Sequence, residues 1–451
     1  MAKVTVIGAG SVVFSMRLIQ DLCLTESLGG STITFMDIDE RRLDMVYELA
    51  SRYVKETGAR LTLEKTTDRK RALDGSDFVI NTVKVGGYRG MESEREIAER
   101  HGYYRGIDDR VSDYYGGIAA YHQLAFFLEL ARDVERICPD AWYLQVSNPV
   151  FEGTTLVLRE TKLKTVGFCH GFNEYREMVK VLGLDPDDVQ VQVAGFNHYI
   201  FLTRFLYRGE DAYPRLDEWI EKKASEYWNS DEYLREPWNT QMSRAAVEIY
   251  RLYGLFPIGD TVRTASPWWM HTDLKTKAQW FPAGGPDSEV GWTLYLNRLH
   301  SRLNEMQRIA SDPSISPTTE FPPVPSGEFI VPFIDSVVNG TERRLVINVA
   351  NDGTIPGIPD DVAIEVPVVV KKGAIEKERI DPLPERLMLH VLIPRWLRME
   401  RILHAFKERD KTSLILTLTD DPRTTSFDQA ARLIDELLGM PWNSEARQHY
   451  V

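Results

Sequence analysis

The chain has 451 residues, 43% hydrophobic and 27% charged, enough to bury a sizeable core and to form two or three domains. Its 67 acidic residues against 54 basic ones leave a net charge of −13, which repels nucleic acid and anionic lipid. No apolar run approaches the roughly eighteen residues that cross a bilayer, and three cysteines, Cys23, Cys138 and Cys169, are too few for a disulfide framework and point to a reducing, cytoplasmic compartment. Met1-Ala2-Lys3 leads directly into Val4-Thr5-Val6-Ile7, too short and too β-branched for a signal peptide, and predicts a buried first strand. The turn Gly8-Ala9-Gly10-Ser11 follows, then a helix with Phe14, Leu18, Ile19 and Leu22 at helical spacing. Thr32 to Met36 predicts a second strand ending at Asp37, with a second helix from Asp39 to Val54. Phe78-Val79-Ile80 and Trp142 to Val146 predict further strands, separated by a helix from Ala119 to Ile137.

Strands that alternate with helices predict a parallel sheet with helices on both faces, an α/β Rossmann-type domain over residues 1–170. Beyond it, 171–451 reads as a mixed α/β domain. Long helices are expected at Ser243 to Leu252, Trp292 to Ile309 and Pro384 to Phe406, and strands at Arg344 to Ile347 and Val362 to Val370 with a turn at Asn351-Asp352-Gly353. Residues 312–327, rich in Pro and Ser, read as a surface loop or a mobile lid. There is no internal repeat.

The Gly8-x-Gly10 turn lets backbone approach a diphosphate while the next helix offers free N–H groups and its positive dipole end. Val13 stands where the fingerprint has its third glycine. Asp37 is placed to bind both ribose hydroxyls and to repel a 2′-phosphate, favouring NAD over NADP; otherwise it is a turn residue before the helix cap Asp39. Gly8, Gly10, Ser11, Val12, Val13, Asp37 and Asn81 make up the candidate cofactor set. Asn148-Pro149 closes a strand at the carboxyl edge of the sheet, where Asn148 could donate to a substrate hydroxyl.

Cys169, in Phe168-Cys169-His170-Gly171-Phe172, and His198, in Gly195-Phe196-Asn197-His198, supply a thiolate and an imidazole from separate loops. Such a pair can hold a divalent cation with positions left open for substrate, or can be two ordinary buried side chains. Gly259-Asp260-Thr261-Val262-Arg263 places an acid and a base in one turn, either an exposed ion pair or part of a site. The tract from Gly106 to Tyr115, which contains Asp113, has a similar acidic and aromatic composition.

Taken together, Gly8-Ala9-Gly10-Ser11-Val12-Val13-Phe14, Asn148-Pro149, Cys169-His170-Gly171-Phe172, Asn197-His198 and Gly259-Asp260-Thr261-Val262-Arg263 resemble, in order and separation, the signatures of glycoside hydrolase family 4, the NAD-dependent glycosidases. The resemblance implies a fold like that of lactate and malate dehydrogenases, with NAD⁺ and usually Mn²⁺, and Cys169 and His198 at the metal-ligand positions. It implies hydrolysis by hydride removal from C3 of the sugar, proton loss at C2, elimination at C1, water addition and return of the hydride, the exception to the two-carboxylate scheme. Asp260 matches a base or part of a relay, His170 a leaving-group acid or a hydroxyl ligand, and Asp113 is a third catalytic candidate. Asn148 and Asn197 would contact the sugar.

The block Cys169-His170-Gly171-Phe172 resembles the α-glucuronidase pattern, with α-glucosidase and α-galacturonidase as alternatives. A uronide carboxylate needs a cation, for which Lys84, Arg89 and Arg263 are candidates. From another class, the same residues fit an NAD-dependent hydroxy-acid or polyol dehydrogenase, or a non-catalytic NAD sensor. The expected partner is a small carbohydrate, with a homo-oligomer, dimer or tetramer, as the expected assembly.

Overall fold

A computed structural model describes residues 1–11, 14–87, 90–104 and 118–451; Val12, Val13, Arg89 and Asp113 lie outside the described residues. The parallel strands are β1 (Lys3–Ile7), β2 (Thr32–Met36), β3 (Thr62–Thr66), β4 (Phe78–Asn81), β5 (Trp142–Gln145) and β6 (Lys164–Gly167). They lie in the order β3-β2-β1-β4-β5-β6 with parallel pairing throughout, the doubly wound dinucleotide-binding arrangement. Their Val and Ile side chains are buried on both faces, as helix-covered parallel strands require. Helices α1 (Ser15–Leu24) and α2 (Glu40–Thr57) follow the first two strands. Asp39 caps α2 through the Arg42 N–H, 3.1 Å away.

The sheet does not stop at β6. It continues antiparallel through β7 (Val189–Phe196), β8 (Tyr199–Tyr207), β9 (Glu210–Asp211), β10 (Phe256–Ile258), β11 (Arg343–Ala350), β12 (Ala363–Lys371) and β13 (Ala374–Lys377), the long path running β6-β11-β12-β7-β8-β10. One row of partners crosses four strands: Gly167 faces Asn348, Asn348 faces Glu365, and Glu365 faces Gly195. The row sets the end of β6 three strand spacings, about 14 Å, from the end of β7; Cys169 lies two residues beyond one end of the row and His198 three beyond the other.

The expected α/β, Rossmann-type architecture is present; in the second half the helix Glu289–Ser311 and strand β11 are longer than expected, and β12 is displaced by one residue. The β7–β8 hairpin was not expected, although Val189-Gln190-Val191-Gln192-Val193 alternates as a half-buried strand should. The Pro- and Ser-rich stretch 312–327 takes the surface-loop alternative and is tied down. Arg52 donates to the carbonyls of Ile309 (2.8 Å), Asp312 (3.2 Å) and Ile315; Glu56 accepts from Ser316 and Thr318; Gln20 donates to the Pro322 carbonyl; and Asp21 accepts from Ser326. With α1 and α2 holding it at so many points, it is a strap rather than a lid. Among the described residues no helix is long and apolar enough to cross a membrane.

Candidate active site

Open α/β sheets place ligands at the carboxyl ends of the parallel strands, and the candidate residues collect there. After β1, Gly8 has φ +87°, and a Cβ on it would lie 2.8 Å from Val83 Cγ2, so only glycine lets the strand turn so sharply. Asp37 Oδ2 accepts the Gly10 N–H at 2.8 Å, which locks the turn to the end of β2, and its Oδ1 accepts the Asp39 N–H. Beside it Ile38 is 89% exposed, a large apolar side chain with no core to join. An acid and an exposed apolar side chain flanking a glycine turn suit a nucleoside: hydroxyls for the carboxylate and a base for the apolar flank. Ser11 sits at the turn, its Oγ accepting the Phe14 N–H.

Asn81 does not face this crevice. It is fully buried, donating from Nδ2 to Tyr143 Oη and Gln145 Oε1 at 3.1 Å each, and it braces β4 against β5. Asn197, expected at the sugar, is likewise buried and donates to Glu365 Oε2 at 3.0 Å. Burying an amide without partners is costly, so both side chains are spent inside the protein. Asn148 is different: it is half-buried, and its side-chain amide makes no hydrogen bond among the described residues. Lys84 is half-buried just past β4.

His198 and Asp260 are in contact, and Cys169 is near enough to Asp260 to feel its charge. His198 has φ +61°, a strained conformation for a residue with a side chain, and neighbours on both sides enforce it. Thr264 Oγ1 donates to its carbonyl, Tyr199 Oη donates to the Thr264 carbonyl at 2.6 Å, and the Ile200 N–H donates to Thr261 Oγ1 at 2.8 Å. The turn holding Asp260 is pressed against the Cys169 loop: Gly259 has φ +62°, and a Cβ there would lie 2.5 Å from the Gly171 carbonyl oxygen.

His198 Nε2 lies 3.1 Å from Asp260 Oδ2, and Arg263 donates to Asp260 Oδ1. Arg263 thus answers the carboxylate rather than standing open for substrate. Burial disfavours an ionised Asp260, but Arg263, His198 and His170 outweigh it and hold the carboxyl below the usual carboxylate range. Burial lowers the basicity of His198, with Arg263, His170 and Arg395 adding to the effect against the pull of Asp260, which leaves a neutral imidazole. Burial, then Glu365 and Asp260, push the Cys169 thiol well above its ordinary pKa.

The donor set fits a catalytic divalent cation. The neutral imidazole of His198 contacts the Asp260 carboxylate and the Cys169 thiol feels its charge, while among the described residues no three His, Cys, Asp or Glu side chains are grouped to hold a metal by themselves. Two protein donors leave coordination positions for a ligand.

Other residues around the site escaped the sequence reading. Glu328 Oε1 lies 3.8 Å from Nδ1 of His170, the 59% exposed candidate acid, and 3.6 Å from Arg17 of α1. Arg302, half-buried in the helix Glu289–Ser311, makes no hydrogen bond or ion pair among the described residues, and its pKa is lowered by burial and by Arg17. Arg302 and Arg17 are thus near enough for their charges to repel. Glu365 joins the row between Cys169 and His198. A lone acid within Val362-Ala363-Ile364-Glu365-Val366-Pro367-Val368 was the available signal, because charges are rarely buried in a strand without a reason.

Two family models match the chain, "Family 4 glycosyl hydrolase" over residues 3–184 and "Family 4 glycosyl hydrolase C-terminal domain" over residues 193–424. An alpha-galactosidase of Bacillus subtilis is 27% identical over 396 residues, covering 86% of this chain and 85% of the relative. An alpha-galacturonidase of Thermoanaerobacter italicus is 22% identical over 453 residues, covering 96% and 95%. The crystal structure of a 6-phospho-alpha-glucosidase from gut microorganisms, in complex with NAD and Mn²⁺, superposes with a TM-score of 0.78 at 17% identity, covering 100% of this chain and 99% of that one.

Proposed function

The chain belongs to family 4 of the glycosyl hydrolases, and from that premise we propose that it is an NAD- and divalent-metal-dependent α-glucuronidase. The observation that carries this reading is the contact of His198 with Asp260 beyond the strand ends, within electrostatic reach of Cys169 and of the exposed imidazole of His170. Family membership removes the dehydrogenase alternative. Residues 1–170 form the nucleotide-binding unit in this reading, and 171–451 carry His198, Asp260 and much of the sugar site.

When bound, the two cofactors supply reversible hydride transfer and Lewis-acid polarisation of sugar oxygens. Gly8, Gly10, Ser11 and the start of α1 hold the diphosphate, Asp37 holds the ribose hydroxyls, and Ile38 flanks the base. Cys169 and His198 hold the metal. His170, exposed and 3.8 Å from Glu328, is assigned to give the leaving-group oxygen a proton or a hydrogen bond. Asn148 offers its free amide to a sugar hydroxyl.

Substrate charge follows from the cations. Arg17 and Arg302 supply paired guanidiniums for a C6 carboxylate, with Lys84 as a further cation at the end of β4. The relative named alpha-galacturonidase supports a uronide and makes the C4 epimer the second reading. The test is a panel of chromogenic α-glycosides with NAD⁺ and Mn²⁺. Fastest release from the α-glucuronide, without net NADH, is the expected result; faster release from the neutral α-glucoside or the α-galacturonide moves the assignment to that sugar.

A further inference from the structure

Glu365 is 1% exposed, and its environment is unusual for a carboxylate. It sits on β12, in the row that joins the end of β6 to the end of β7, directly opposite Gly195. Its Oε2 accepts two amide hydrogen bonds, from Asn197 Nδ2 at 3.0 Å and from Asn348 Nδ2 at 3.2 Å. No hydrogen bond to its Oε1 is found among the described residues, and no lysine or arginine lies within ion-pair distance there. Burial therefore pushes the carboxyl up to about 7 in spite of the two amides. Leaving a chargeable group so poorly answered is costly for folding, and an amide in its place would satisfy the same two donors.

The location gives that cost a purpose. The Asn197 amide that Glu365 holds belongs to the residue immediately before His198, whose left-handed backbone needs support from its flanks. On the other side, Glu365 is close enough to Cys169 to act on its thiol electrostatically, as Asp260 also does. Thiol, imidazole and two carboxyls thus share one buried region whose main cation, Arg263, is already engaged by Asp260. A divalent ion bound near Cys169 and His198 would favour the ionised form of Glu365, whose buried charge would in turn favour the ion.

We propose that Glu365 is a positioning residue for the metal: it holds the Asn197-His198 turn in place and contributes charge that favours a divalent cation between Cys169 and His198. Its proposed action runs through Asn197 and His198 rather than through the reacting atoms. This inference rests on the reading that Cys169 and His198 are the metal ligands. Outer partners of this kind typically set metal affinity by about 10- to 100-fold.

The experiment measures Mn²⁺ affinity of the full chain by isothermal titration and by Mn²⁺ electron paramagnetic resonance, with NAD⁺ affinity and thermal unfolding alongside. Glu365→Gln keeps an acceptor for both amides and removes the charge. It is expected to weaken Mn²⁺ binding about tenfold or more while NAD⁺ affinity stays within about twofold. Glu365→Asp, which restores the charge on a shorter arm, is expected to bind Mn²⁺ more tightly than the Gln variant even if both unfold earlier. Wild-type Mn²⁺ affinity in Glu365→Gln overturns the proposal, and so does an Asp variant no better than Gln. Cys169→Ser separates this from the underlying reading: if it also binds Mn²⁺ normally, the ligand assignment itself fails and the inference falls with it.

Discussion

Replacing Arg302 by Met should move stability and specificity in different directions. The guanidinium is half-buried, makes no hydrogen bond or ion pair among the described residues, and is depressed by burial and by Arg17. A cation in that position does little for the fold. Met keeps most of the apolar stem and removes the charge, so unfolding free energy should stay within about 1 kcal/mol of wild type or rise slightly. A guanidinium that meets a substrate carboxylate makes a charge-assisted contact worth about 1.5–3 kcal/mol. At about 1.4 kcal/mol per factor of ten, kcat/KM for the α-glucuronide should fall about 10- to 150-fold. The neutral α-glucoside has nothing to lose, and its kcat/KM should change less than about threefold. The assay is initial-rate hydrolysis of the two chromogenic glycosides beside urea unfolding of the same preparation. A large stability loss with an unchanged ratio between the substrates would refute the reasoning, because Arg302 would then be structural.

Cys169→Ser should lose hydrolysis by at least about a hundredfold while NAD⁺ binding, measured by fluorescence titration, stays near wild type, since the thiol and the Gly8 to Ser11 turn lie on different strand ends. Turnover in heavy water should place deuterium at C2 of the released sugar, read by mass spectrometry; wild-type turnover with the C2 proton retained would count against proton abstraction by Asp260. Gly259→Ala should destabilise the protein by about 2 kcal/mol or more, because its Cβ must fit 2.5 Å from the Gly171 carbonyl and φ is +62°; a melting temperature equal to wild type would show that the two loops can part. Burial raises the Asp335 carboxyl, but hydrogen bonds from Ser27, Arg343 and Asn339 outweigh it and hold the group below 3.8. Its stabilisation is therefore full above pH 3.8 and is lost as pH falls through the lowered value. Asp335→Asn should cost about 1–3 kcal/mol at pH 7 and flatten the acid limb of the stability curve; an unchanged acid limb would rule the group out.

Local chemistry was legible wherever a residue's role depends on its neighbours in the chain. The Gly8-x-Gly10 turn between strand and helix, Asp37 at the end of β2 and the alternation of strands with helices all follow from short-range geometry, and all are present. Cys169, His198 and Asp260 were legible as candidates through their motifs. What those motifs left undecided was the use of each side chain. Asn81 and Asn197 carry amides suited to a ligand, yet Tyr143, Gln145 and Glu365 take them. Arg263 has the charge for a uronide, yet Asp260 takes it.

The sequence by itself determined the two βα units, the cofactor turn and the identity of the thiol and imidazole, because strand and helix periodicity and glycine stereochemistry act over a few residues. Only the tertiary structure decided that Glu365 sits between Cys169 and His198, that Glu328 connects Arg17 to His170, and that residues 312–327 form a strap on α1 and α2. Those pairings join segments up to about three hundred residues apart. They arise from the register of antiparallel strands added to a parallel sheet and from the packing of loops on helices, and neither carries a repeating signal along the chain.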